Sequence, residues 1–163
     1  MSHQQPSVRH LLHPYHFLAL GGGSGLAPKA PGTVGTLAAL PLVWWLAELP
    51  LGYYALVLAL AALAGVYLCG WSARRMGVHD HPAIVWDEIV GYAIAMFAIP
   101  ATWQNLAIAF VLFRLFDIWK PGPIGWCDRK FHGGLGIMLD DVLAGLATLG
   151  CMASLQWVLA GRF

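Results

Sequence analysis

The chain has 163 residues, of which 59% are apolar and only 10% are Asp, Glu, Lys or Arg, and its formal net charge is +1. A water-soluble domain carries roughly a quarter charged residues, so water is not the main solvent of this chain. With no stripe of Lys and Arg, a nucleic-acid partner is excluded as well.

One domain covering residues 1–163 is expected, with residues 1–12 as a mobile tail. Residues 1–7 are polar and give no signal-peptide pattern. Residues 8–20 mix leucines and aromatics with Arg9, His10, His13 and His16, which predicts a short helix in a membrane interface. The glycine run at 21–25, followed by Lys29, Pro31, Gly32, Thr33, Gly35 and Thr36, predicts a loop that becomes helical at about Thr33. It feeds the first charge-free run, 30–47. Pro50-Leu51-Gly52 separates that run from the second, 49–73, so the two form a hairpin, with Trp44, Trp45, Tyr53 and Tyr54 placed as an aromatic belt.

The third run, 89–113, is predicted as two helices broken at Pro100-Ala101-Thr102. Only that break puts Arg74, Arg75, Arg114, Lys120, Arg129 and Lys130 on one side, the cytoplasmic side by the positive-inside rule. The last run, 142–161, crosses once more and leaves Arg162 outside, giving an odd number of spans. A span needs about 20 mostly apolar residues, which these runs approach once their polar flanks are included. The expected fold is an all-α, polytopic helical membrane protein with an interfacial N-terminal helix and a cytoplasm-facing site at helix ends.

The acidic residues define that site, because all of them except Glu48 fall in two regions on the cytoplasmic side. Asp87-Glu88 directly precedes one apolar run and Asp140-Asp141 another, so each pair is expected at a helix entrance. Acidic residues there also suit the positive end of a helix dipole. Two adjacent pairs near lipid, however, repel one another and need a compensating cation. Hard oxygen donors without clustered cysteines favour Mg²⁺ over zinc or copper. Arg114 and Asp117, spaced i to i+3, share a helical face, and Lys120 ends that helix. Lys29 with Thr33 and Thr36 offers a cation and hydroxyls in a glycine-rich turn that lacks the Walker order. Residues 125–136, with Asp128, Arg129, Lys130, His132 and Gly133-Gly134, read as a flexible lid or as a solvated basic loop. His79-Asp80-His81 reads as a polar turn with metal binding as the lesser alternative. Cys127 is not followed by the Cys-x5-Arg loop of a cysteine phosphatase. Cys69, Cys127 and Cys151 are too scattered for a knuckle or a disulfide framework.

Four ordered motifs carry a family resemblance. They are GSGLAPKAPGTVGT at 23–36, HDHPAIVWDEIVG at 79–91, FRLFDIWKPGPI at 113–124 and DRKFHGGLGIMLDDVLAG at 128–145. Together they closely resemble the phosphatidylglycerophosphatase A family from about His13 onward. The resemblance implies an integral bacterial inner-membrane phosphatase, dependent on Mg²⁺, that converts phosphatidylglycerophosphate to phosphatidylglycerol and inorganic phosphate. On that reading Asp87, Glu88, Asp117 and Asp141 are catalytic, and the same four with Asp140 bind the metal. Lys29, Thr33, Thr36, Arg114, Lys120 and Arg129 then bind the substrate phosphate. The expected partners are the lipid substrate and the bilayer, with an oligomer permitted but not indicated. The rival readings are a small transporter or channel with a charged cytoplasmic vestibule, and a phosphotransferase of the CDP-alcohol type, whose aspartate order is absent.

Overall fold

The structure is a computed structural model that describes Pro6, residues 8–78 and residues 81–161. His79, Asp80 and Arg162 lie outside the described residues, and so do the expectations attached to them.

The described residues form helices and connecting turns, with no strand among them. The helices are α1 (Pro14–Ala19), α2 (Pro31–Leu46), α3 (Leu51–Met76), α4 (Trp86–Ala95), α5 (Trp103–Trp119), α6 (Pro123–Lys130) and α7 (Gly133–Ala160), with 3-10 turns at Val8–Leu12 and Gly21–Leu26. The expected N-terminal helix is therefore a 3-10 turn running into α1. Its start is set by Pro14 at the first helical position and by the His13 imidazole, which accepts the Tyr15 N–H. The glycine run then turns the chain, with Gly22 and Gly23 at φ of 65° and 106°. Helix α2 begins at Pro31, two residues ahead of Thr33, because proline is already set for the first helical position.

The predicted break in the third run is present. Met96 to Thr102 separates α4 from α5, and the Thr102 hydroxyl caps α5 by accepting the Asn105 N–H.

Two expectations are corrected here. Helix α7 begins at Gly133, not at 142, so Asp140 and Asp141 lie about two turns inside a helix and not at its entrance. Residues 125–136 are not a lid loop, since they contain most of α6 and the first turn of α7. Gly134 and Gly136, which read as flexibility, serve close packing. A Cβ at Gly134 would strike the Val66 carbonyl and Gly70 of α3, and one at Gly136 would strike the Phe131 carbonyl.

Contacts fix the helix directions. Gly134 meets Val66 and Gly70 while Gly65 meets Met138, so α3 and α7 run antiparallel. Gly91 meets the Asp141 carbonyl and Gly145 meets the Gly91 carbonyl and Ile94, so α4 and α7 run side by side in the same direction. Helix α5 opposes both α2 and α7, with Trp103 against Trp44 and Asn105 bonded to Gln156 at one end, and Arg114 beside Gly32 and Lys120 bonded to Asp140 at the other. Arg74, Arg114, Lys120 and the two acidic pairs consequently share one end of the bundle.

The core is built from Val43, Leu46, Tyr54, Val85, Tyr92, Met96, Leu106, Phe113, Ala144 and Met152. Outside it, Leu56, Leu60, Leu63 and Tyr67 make a stripe along α3 that is 53% to 72% exposed. Water tolerates such a continuous apolar patch poorly, whereas lipid solvates it. Helices α3 and α7, 26 and 28 residues long, are each long and apolar enough to cross a membrane.

Candidate active site

Helices α4 and α7 cross at close range. Each helix carries an aspartate followed four residues later by glycine: Asp87 with Gly91, and Asp141 with Gly145. The two glycines lie against each other's helices with no room for a Cβ. One turn nearer the charged end, this brings the two aspartates face to face. Asp87, Glu88 and Asp141 each offer one carboxylate oxygen, and these oxygens all lie within 4.8 Å of one another.

All three are withdrawn from solvent, Asp87 and Asp141 being 6% and 3% exposed. Asp87 Oδ1, Glu88 Oε2 and Asp141 Oδ1 are buried without a hydrogen-bond donor. Native structures rarely leave buried polar atoms so, and a cluster of like-charged ones is costlier still. The donor set is all oxygen, so a hard divalent cation fits it, and the atoms that lack a partner are the ones that would ligate it.

Cations surround this cluster. Arg114 Nη1 lies 2.6 Å from Asp117 Oδ2 and 3.7 Å from Glu88 Oε1. Neither contact is an aligned hydrogen bond, and Arg114 Nε and Nη1 have no hydrogen-bond partner. Its guanidinium is held near the carboxylates by charge, with donors to spare. Helix α2 begins directly above it, because a Cβ on Gly32 would collide with Glu88 Oε1 and crowd both Arg114 terminal nitrogens. The N–H groups of that first turn have no acceptor within the helix, so Gly32 and Thr33 add donors beside Arg114.

Lys120 has a different situation. It sits at the end of α5 in a left-handed conformation (φ 45°), donating to Asp128 at 2.6 Å and to Asp140. Burial works against its charge, but these two hydrogen bonds prevail and hold the ammonium above its ordinary value.

The sequence-predicted site residues thus divide. Asp87, Glu88 and Asp141 come together, one carboxylate oxygen of each within 4.8 Å of the others. Asp117 pairs with Arg114. Asp140 is buried with one oxygen on Lys120 and the other unpartnered. Lys29 and Arg129 are exposed, Thr33 is partly buried in the first turn of α2, and Thr36 is fully buried, its hydroxyl donating to the Gly32 carbonyl. Thr36 is therefore closed to a phosphate, and Lys120 is committed to two carboxylates. His81 is also buried, with Nδ1 accepting the Ala83 N–H.

Three parts of the arrangement were missed by sequence reasoning. Asp128, read as part of a lid, is the second partner of Lys120. Gly32, read as loop, is the contact between α2 and the ion pairs. The repeated Asp-x3-Gly pattern, too short to count as a repeat, is the device that pairs the aspartates.

The phosphatidylglycerophosphatase A family model matches residues 17–156. Two similar proteins bear the name phosphatidylglycerophosphatase A. The one from Escherichia coli K12 is 51% identical over 141 residues, covering 86% of this chain and 82% of its own. The one from Haemophilus influenzae Rd is 49% identical over 152 residues, covering 91% and 93%. A more distant relative from Bacteroides thetaiotaomicron, provisionally named a phosphatidylinositol-3-phosphatase, is 37% identical over 151 residues, covering 87% and 93%. No solved structure matches the chain. The match runs through every helix that builds the carboxylate cluster, and the chain belongs to the phosphatidylglycerophosphatase A family of phosphatases.

Proposed function

We propose that this protein removes the terminal phosphate of phosphatidylglycerophosphate by Mg²⁺-dependent hydrolysis, releasing phosphatidylglycerol and inorganic phosphate. In this reading it is a multi-pass protein of the bacterial inner membrane, with the site facing the cytoplasm. The observation that carries the proposal is the cluster of Asp87, Glu88 and Asp141, buried and short of donors, next to an arginine with unused N–H groups. A lipid phosphate monoester needs such a combination at a membrane surface. The basic residues at the cluster's end of the bundle favour the cytoplasmic orientation.

Asp87, Glu88 and Asp141 would hold the cation, with the free oxygen of Asp140 nearby. Such an ion supplies neutralisation of phosphate charge and a more acidic bound water. The chain's own groups do the positioning, which is most of what phosphoryl transfer asks of a protein. Arg114 and the N–H groups of Gly32 and Thr33 take phosphate oxygens, and exposed Lys29 draws the anion in. Asp117 keeps Arg114 turned toward Glu88, and Lys120 fixes Asp140.

Phosphate release from defined lipid phosphates in mixed micelles, with and without EDTA, tests reaction, substrate and metal together. Release from phosphatidylglycerophosphate that EDTA does not diminish removes the metal from the proposal. No release from any lipid phosphate, together with ion flux in proteoliposomes, favours a transporter. Hydroxylamine-sensitive ³²P retained on the protein indicates attack by an aspartate rather than by water.

A further inference from the structure

The seam between α2 and α5 holds an apolar groove of about 460 Å³, lined by Leu37, Leu40, Pro41, Trp44, Trp103 and Leu106. That volume lies in the range of small-molecule sites, and almost nothing polar lines it. The same two helices meet at their other end, where Gly32 lies against Glu88 and Arg114. Along α2, Leu37 is roughly 8 Å past Gly32 and Trp44 about 18 Å past it, at 1.5 Å per residue. Trp44 and Trp103, with ring centroids 5.1 Å apart, meet at the far end. Pro41 has no N–H to return to the Leu37 carbonyl, so the groove wall is interrupted at its middle.

The groove therefore runs along the two helices whose other ends carry the phosphate donors, with the tryptophan pair at its far end. A flexible hydrocarbon chain joined to a phosphate fits both ends at once. We propose that the α2–α5 groove is the binding site for an acyl chain of the lipid whose phosphate binds beside Arg114; this rests on the phosphatase reading above. The groove then recognises a substrate by its tail, and the Trp44–Trp103 pair sets how long a tail it favours.

The test uses the full-length protein with phosphatidylglycerophosphate bearing dioleoyl or dihexanoyl chains. Leu37→Trp, or Leu40→Trp if the first fails to fold, fills the groove and is expected to lower the long-chain to short-chain ratio of kcat/KM by about tenfold, the scale of one pocket contact. Trp103→Ala breaks the tryptophan pair and is expected to shift the preference toward longer chains. An unchanged ratio and an unchanged length preference overturn the proposal. Photolabelling in nanodiscs reads the groove without turnover. A diazirine at the end of the phosphatidylglycerophosphate acyl chain should label the Trp44 and Trp103 peptides in excess over the same chain on phosphatidylethanolamine. Equal labelling means bulk lipid only and overturns it. Wild-type protein that releases no phosphate from either chain length defeats the phosphatase reading, while the labelling contrast still decides whether the groove selects the phosphorylated lipid.

Discussion

The two ends of this bundle treat buried polar groups in opposite ways. At the end away from the acidic pairs, each such group has a partner. The Tyr54 hydroxyl donates to the Ala93 carbonyl and that of Tyr92 to the Leu106 carbonyl, both at 2.9 Å. Asn105 donates to the Pro100 carbonyl and accepts from Gln156. At the other end, Asp87, Glu88, Asp140, Asp141 and Arg114 all keep buried atoms without a hydrogen-bond partner. One end spends its polar groups on holding helices together. The other holds them back for something the chain does not itself supply, and it does so at the expense of stability.

The largest effect expected from this contrast follows replacement of an unsatisfied carboxylate. Asp87→Asn and Asp141→Asn keep shape and remove charge. Phosphate release should fall by more than about 100-fold, beyond the range seen when groups merely supporting a metal ligand are lost. Thermal stability in EDTA should hold or rise, by on the order of 1 kcal/mol, because a buried repulsion is relieved. Melting and turnover measured on the same preparations check both halves. Variants that are active, or that melt early, would make the cluster an ordinary structural feature.

The next effect tests the crossing that assembles the cluster. Gly91→Val or Gly145→Val places atoms where the partner helix's backbone lies. The helices must separate, which costs about 1 to 3 kcal/mol of stability. Asp87 and Asp141 move apart with them, and a displacement near 1 Å can cost about 100-fold in rate. Activity per folded molecule, scored against the melting temperature, should therefore fall even where the protein stays folded.

Much of this architecture could be read from the chain. Proline at 50 and 100 placed the helix breaks, and the spacing of Arg114 and Asp117 put both on one helical face, where the structure pairs them. The start of α7 could not be read, because Gly133, Gly134 and Gly136 are helix-weakening residues by propensity, and Gly134 and Gly136 become favourable only against the backbones of α3 and residue 131. For the same reason the sequence shows two acidic pairs but not which three carboxylates meet. That choice is made by two glycines distant in sequence. Lys120 and Thr36 were legible as polar residues, not as residues already committed, since Asp128, Asp140 and the Gly32 carbonyl claim them only in the folded chain.

At the satisfied end, Tyr92→Phe deletes one buried hydrogen bond and nothing else. A loss of about 1 kcal/mol is expected, with turnover unchanged once the folded fraction is accounted for. Denaturation in detergent measures the first and phosphate release the second. A large loss of activity would mean that the two ends are coupled through α4, since Tyr92 follows Gly91 directly.

The smallest effect concerns His16, which shares the charged end's habit without belonging to its site. It is buried, and its Nδ1 has no partner. Trp71 lies 4.9 Å from its ring, and His10 and His13 lie 5.1 and 5.9 Å away. Burial first, then His10, His13 and Arg75, lower its affinity for a proton. The sign follows from linkage: the folded state binds the proton less readily than the unfolded one, so stability is lost as pH falls below the ordinary imidazole value of about 6.5. The ring contact between Trp71 and His13, with centroids 4.4 Å apart, reports on the docking of α1. Trp71 fluorescence should therefore change as pH falls through this window, and His16→Phe, which cannot be charged, should reduce that change. A response unaltered in His16→Phe would assign it to His10 or His13.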